Sequence, residues 1–177
     1  MAKQTVVTFS GKAQHGKDLS LQILKNELEK YGKRVLNINY SNYLKYLASQ
    51  HFGWDGNKDE KGRTLLQWLG TEKIRNRFPD FWVDAVMSTV MVFEDDYDYV
   101  LIGDCRFPNE ITKWIQQGYT VVSIHVERLN FENDLTDSQR KHSSENALEY
   151  FKFNEYIKVA TAEDLEKEIR HVAKRIL

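Results

Sequence analysis

The apolar positions of this chain alternate between short continuous runs and helical stripes. "TVVTF", Thr5 to Phe9, is a β-branched run ending at Ser10-Gly11 and reads as a strand. Leu19, Ile23, Leu24, Leu28 and Tyr31 then recur at helical spacing until Gly32, which predicts a helix with these residues on one face. "RVLNINY" predicts a second strand and "YLKYLASQHF" a helix, followed by the polar, glycine-containing loop "GWDGNKDEKG". From Thr64 to about Phe93 the pattern is mostly helical, broken near Phe78-Pro79. "DYVLIGD", Asp98 to Asp104, is almost wholly apolar, as in a strand of a parallel sheet covered on both faces. There follow the helical "NEITKWIQQ", the strand "YTVVSIHV", a charged, weakly patterned stretch from Glu127 to Tyr150, and a short strand "EYIKV". Leu165, Ile169, Val172 and Ile176 mark a last amphipathic helix. Strands alternating with helices predict an α/β fold of three layers, a parallel sheet with helices on both faces. No repeat, low-complexity linker or break in composition divides the chain, so one domain is expected over 1–177.

Composition narrows the function classes. A chain of 177 residues is long enough for one domain with a real core. A net charge of -1 gives no support for general nucleic-acid binding. The single cysteine, Cys105, allows no internal disulfide and fits a reducing compartment; it reads as a small buried residue. The first residues, "MAKQTVVTFSGK", carry too short an apolar run for a signal peptide. No apolar stretch approaches the roughly 20 residues that span a bilayer. These features predict a soluble, cytoplasmic protein (host cytoplasm for a viral one) that handles small molecules, with neither nucleic acid nor membrane as partner. A homodimer is compatible with the sequence, which does not specify the oligomeric state.

The chemistry begins at "GKAQHGKD", Gly11 to Asp18. Gly11, Gly16 and Lys17 have the spacing of a phosphate-binding loop. The match follows the first predicted strand and opens a helix, so the backbone N–H groups of Lys12, Ala13, Gln14, His15 and Gly16 and the positive helix end would face phosphates. Lys17 would meet the β- and γ-phosphates. The next residue is ordinarily Ser or Thr, whose hydroxyl holds magnesium; here it is Asp18. A carboxylate about 4 Å from a phosphate charge costs roughly 4 kcal/mol at an effective dielectric of 20. A magnesium ion between them reverses the sign. Asp18 is therefore either a magnesium residue or a first-turn acid favoured by the helix dipole.

"GDCRFPNE", Gly103 to Glu110, follows the apolar strand. It places Asp104 where ligands bind in open α/β sheets. Asp104 could orient water on magnesium or accept a substrate contact, and Arg106 could hold a phosphate with its fork of donors. The bland alternative is an Asp104–Arg106 bridge that holds the loop, with Glu110 as a first-turn acid. "GRTLLQWLGTEKIRNRFPDFWVDAV", Gly62 to Val86, mixes Arg63, Gln67, Arg75 and Arg77 with Trp68, Phe81 and Trp82. Arginines suit phosphate, while Gln and aromatics suit a base. The alternative is an amphipathic helix with solvated arginines and buried tryptophans, Trp68 among the core. Arg128 and Arg140, flanking and opening "RKHSSE", could close on a transferring phosphoryl group or lie in a solvated loop. "DEKG", Asp59 to Gly62, imitates a GTPase switch but follows no strand. The five histidines show no metal-ligand spacing.

Taken in order, "GKAQHGKD", "GRTLLQWLGTE", "FWVDAV", "DCRFPNE" and "HSSE" resemble the bacteriophage-type deoxynucleoside monophosphate kinases, P-loop kinases of the adenylate-kinase-like kind. The resemblance runs from about Val6 to Glu145. In that family Asp after the loop Lys is usual, so Asp18 looks like a working variant. The resemblance implies a P-loop NTPase fold with a monophosphate-binding region at about 40–85 and a lid at about 128–150. It implies transfer of the γ-phosphoryl group of ATP, with Mg²⁺, to a (deoxy)nucleoside monophosphate. Lys17 and Asp18 then belong to the ATP–magnesium side, and Arg63, Gln67, Arg75 and Trp82 to the monophosphate side. Asp104 and Arg106 lie between, and Arg128, Arg140 and Glu145 belong to the lid side. Where the family often reads F-A-D-P-L-K, this chain has "YSNYLK", Tyr40 to Lys45, which leaves the choice of base open. The rivals are a kinase of another small metabolite and a nucleotide-binding module without transfer activity.

Overall fold

The computed structural model describes residues 3–177. Five parallel strands form one sheet in the order β2-β3-β1-β4-β5. They are β1 (Thr5–Ser10), β2 (Val35–Asn37), β3 (Tyr99–Ile102), β4 (Thr120–Arg128) and β5 (Glu155–Val159). The helices are α1 (Lys17–Lys30), α2 (Ser41–Phe52), α3 (Glu60–Gln67), α4 (Phe81–Val92), α5 (Asn109–Gln116), α6 (Asp137–Lys141), α7 (Ser143–Asn146) and α8 (Ala162–Ile176). A π-helical segment, Trp68–Arg75, continues α3.

Strand alternation divides the core into two layers. Val7 and Phe9 of β1, with Leu101, Ile124 and Val126, pack on Leu21, Leu24 and Leu28 of α1 and on Leu165, Ile169 and Val172 of α8. Val6, Val100 and Ile102 face the other way, onto Val83, Val86 and Val90 of α4 and Ile111 and Trp114 of α5. The expected three-layer α/β architecture is thus formed. The register places Ser10 beside His125 and Thr8 beside Ile102, so the strands end together, and the loops that follow β1, β3 and β4 gather at one edge.

Three local expectations need correction. The buried face of α1 is Leu21, Leu24 and Leu28, while Leu19 and Tyr31 are 45% and 59% exposed. Leu19 precedes Leu24 by five residues, which turns it about 140° round the helix. Trp68, assigned to the core by its size, is 41% exposed and meets the ring of Phe52 edge-on. It opens the π segment, where Asn76 N–H reaches Thr71 C=O; bulk alone does not bury a side chain that the fold leaves at the surface. Helicity also starts earlier than Thr64: the Asp59 carboxylate accepts from Gly62 N–H at 2.7 Å and caps α3. The weakly patterned 129–150 segment contains α6, opened by a Thr136/Gln139 capping box, and α7. Among the described residues no helix is long and apolar enough to cross a membrane.

Candidate active site

The loop between β1 and α1 has backbone demands that only its glycines meet. Gly11 has φ +137°, and a Cβ there would sit 2.2 Å from the Val126 carbonyl oxygen of the neighbouring strand. Gly16 turns into α1 with φ +95°. Lys17, 8% exposed, folds back and donates to the carbonyls of Gly11 at 2.8 Å and Lys12 at 2.6 Å. Burial, helped by the nearby Arg106 guanidinium, lowers its ammonium to about 7. His15 is buried: its Nδ1 accepts from Arg128 N–H at 3.0 Å, and its ring meets Phe131 edge-on. Desolvation, with Lys17 and Lys12 adding to it, lowers its pKa and favours the neutral ring. His15 so ties the loop to the end of β4. Gln14 takes a positive φ of 63°, and its Oε1 accepts from Asp134 N–H at 3.4 Å.

The loop after β3 makes different pairs from those the sequence suggests. Asp104 accepts from the backbone N–H groups of Tyr40 (3.0 Å) and Ser41 (2.8 Å). It is the cap of α2, from a strand end 63 or 64 residues away in sequence. The Asp104–Arg106 bridge does not form. Arg106 pairs instead with Glu145 Oε1 at 2.7 Å, and Glu145 Oε2 is buried with no hydrogen-bond partner among the described residues.

Glu110 is no mere first-turn acid. It is 2% exposed. Its Oε2 accepts from the backbone N–H groups of Arg106 (2.6 Å) and Phe107 (3.1 Å), and its Oε1 is ion-paired with Arg75 Nη2. Burial pushes its carboxyl up to about 7, against the pull of Arg75. A signal for this was present: Glu110 lies four residues before Trp114 and beside Ile111, on the apolar stripe of α5. Arg75, at the end of the π segment, is also buried. Its Nη1 donates to Pro79 C=O (3.2 Å) and Asn109 Oδ1 (3.0 Å), and its guanidinium lies 3.9 Å from the Phe107 ring centroid.

These residues surround a central cavity of about 500 Å³ at the sheet edge. Lys17, Asp18, Asp104, Arg106 and Glu145 line it together with Arg63, Gln67, Arg75 and Trp82. Trp82 presents only its ring, because its indole N–H donates to Gly70 C=O at 2.9 Å. Lys45 of α2 and Lys58 of the polar loop before α3, neither singled out from the sequence, line it too; a lone lysine on a helix or in a loop carries no pattern. Gly11, Lys12, His15, Arg128 and Arg140 line a flanking cavity of about 810 Å³, and Arg106 and Glu145 stand between the two. Arg128 and Arg140 are therefore not brought to the central cavity. Arg128 lies over the Phe131 ring, 4.5 Å from its centroid, and Arg140 donates to Asn133 C=O at 2.9 Å.

The 129–150 segment crosses to α3 and the π segment. Gln139 Nε2 donates to Glu60 C=O at 3.1 Å, and Gln67 Nε2 to Gln139 C=O at 3.4 Å. Asp134 pairs with Arg63 at 3.3 Å and His142 Nε2 with Glu72 at 2.8 Å. The cavity is thus a concave, mixed apolar and cationic site closed from several elements, of the kind that holds a small phosphorylated ligand.

The architecture is similar to that of the APS kinase CysC of Mycobacterium tuberculosis, in the Cys556Ala mutant and in the complex with AMPPNP and APS. Each superposes over 99% of both chains with a TM-score of 0.54 at 8% identity, a likeness of fold. No curated protein matches the sequence significantly. The profile of the deoxynucleotide monophosphate kinase family matches residues 19–169. That stretch begins just after the Gly11–Asp18 loop, so the loop and the family match are separate observations. It takes in Arg75, Trp82, Asp104, Arg106 and Glu145, the residues that build most of the central cavity, and it spans well over half of the chain: this protein belongs to the deoxynucleotide monophosphate kinase family of phosphotransferases.

Proposed function

We propose that ATP lays its phosphates on the Gly11–Asp18 loop and passes the γ-phosphoryl group to a deoxynucleoside monophosphate seated in the central cavity. The observation that carries this reading is the lining of that one cavity, which brings Lys17 and Asp18 of the loop together with Arg75, Gln67, Trp82 and Arg106. Phosphoryl transfer asks little covalent help of a protein. It needs two anions aligned and the developing charge neutralised.

Each residue has a part. Lys17 leaves the carbonyls of Gly11 and Lys12 for the β- and γ-phosphates, and its ammonium, lowered to about 7 by burial, regains its full charge beside them. Arg106, next to Lys17, turns from Glu145 toward the transferring group. Arg75 grips the acceptor phosphate. Gln67 and the Trp82 ring bound the acceptor base, with Arg63 at the rim. Asp104 acts on α2, whose first turn also faces the cavity. The segment at about 128–150 is the lid, with Arg128 and Arg140 on the nucleoside triphosphate side of the Arg106–Glu145 pair.

Magnesium fits the donors present. Asp18 is exposed at the cavity mouth. Among the described residues no three His, Cys, Asp or Glu side chains are grouped to hold a metal. A magnesium ion bound through phosphate oxygens needs only one or two carboxylates. Asp18 would hold it, directly or through water. When bound, the ion would neutralise phosphate charge that otherwise repels Asp18. The test is a coupled ADP-release assay over the common ribo- and deoxyribonucleoside monophosphates, with melting curves for each acceptor alone. Turnover with a deoxynucleoside monophosphate and stabilisation by that acceptor without ATP are expected. ATP stabilisation with no acceptor effect and no turnover would overturn the proposal.

A further inference from the structure

We infer that Glu110 is a positioning residue for the acceptor: one buried carboxylate fixes both the Arg75 guanidinium and the backbone that carries Arg106. The inference rests on the reading of Arg75 as the acceptor's phosphate grip. Burying a carboxylate requires that its oxygens be satisfied. Here every partner belongs to the site. Oε2 takes the N–H groups of Arg106 and Phe107, while Oε1 takes Arg75.

Arg75 has little freedom left. Its Nη1 is engaged by Pro79 and Asn109, its Nη2 by Glu110, and its face by the Phe107 ring. Among the described residues nothing takes its Nε. Nε and the second Nη2 hydrogen remain for an acceptor oxygen. Phe107 itself is set by Glu110 through its N–H, so the carboxylate orders the ring on which the guanidinium rests. A pair serving stability alone is readily replaced by apolar side chains of the same volume. This one lies on the wall of the cavity, with both members lining it.

Steady-state kinetics with ATP and the preferred monophosphate test the assignment. In Glu110→Gln the side-chain oxygen can still accept from the two backbone N–H groups, but the amide NH₂ now faces Arg75. The acceptor KM is expected to rise about tenfold or more, as for loss of a charge-assisted bond, with the ATP KM moving less than about twofold. Arg75→Met is expected to raise the acceptor KM by itself. The double variant should then be no worse than Arg75→Met alone, because Glu110 acts through Arg75. Glu110→Asp keeps the charge and withdraws it by one methylene; it gives the same, smaller acceptor defect and serves if the Gln variant does not fold. An unchanged acceptor KM in Arg75→Met overturns the reading of the cavity, and this inference with it. A raised KM in Arg75→Met with an unchanged one in folded Glu110→Gln or Glu110→Asp overturns the inference alone. So does a double variant in which the two effects add in full.

Discussion

Lys17 is held against its own preference, and replacing it should reveal how strongly. Its ammonium lies at about 7 where an exposed lysine has 10.5, chiefly because it is buried. At 1.36 kcal/mol per pKa unit this is about 5 kcal/mol against the charged form; relaxation and water entry reduce it to about half. Lys17→Met removes that burden. It also removes the two hydrogen bonds to Gly11 and Lys12, an offset of about 1–2 kcal/mol together. The net gain at neutral pH is about 0.5–1.5 kcal/mol, or roughly 1–6 °C for a chain of this size. The sign with pH follows from proton counts. Between about 7 and 10.5 the unfolded chain holds the Lys17 proton and the folded one does not, so wild-type stability rises with pH in that window. The nucleotide-free variant should therefore melt above wild type near neutrality, and the gap should close toward pH 10. Mg²⁺-ATP should stabilise wild type and fail to stabilise the variant, while transfer falls at least about a hundredfold. Melting curves with and without Mg²⁺-ATP from about pH 6.5 to about pH 9.5 give the answer. A variant that melts lower throughout, or a gap that widens with pH, refutes the reasoning.

Other consequences are equally direct. Asp18→Asn should demand more Mg²⁺ for the same initial rate, and Asp18→Ser should recover part of the activity through its hydroxyl; superimposable Mg²⁺ titrations with stability lowered by about 0.3–1 kcal/mol would leave only the helix-dipole role. Arg106→Lys replaces a two-pronged fork by one point charge, so kcat should fall and the acceptor KM rise in steady-state assays; unchanged kinetics would remove Arg106 from the site. Gly11→Ala places its Cβ 2.2 Å from the Val126 carbonyl oxygen at a φ unsuited to alanine, and it should destabilise the fold by several kcal/mol in denaturant titrations; near-normal stability would contradict the loop geometry.

What the sequence determined by itself is local. The β-branched run before Gly11 and the Gly11–Gly16–Lys17 spacing specify strand, phosphate loop and helix together, because few residues tolerate those dihedrals. The apolar run at Val100–Ile102 likewise announces a sheet covered on both faces. The order of short motifs was enough to mark the family and to bring Arg75, Asp104, Arg106 and Glu145 into consideration. Their partners were decided only by the tertiary structure. Asp104 meets Tyr40 and Ser41, Arg106 meets Glu145, and Glu110 meets Arg75 across 35 or more positions of chain. Those pairings depend on which strand ends meet at the sheet edge. The same closure sends Arg128 and Arg140 to the flanking cavity and makes a buried anchor of Glu110. Trp68 was lost for a different reason: size alone assigned it to the core, and only the packing of α2 beside the π segment leaves its ring at the surface, edge-on to Phe52.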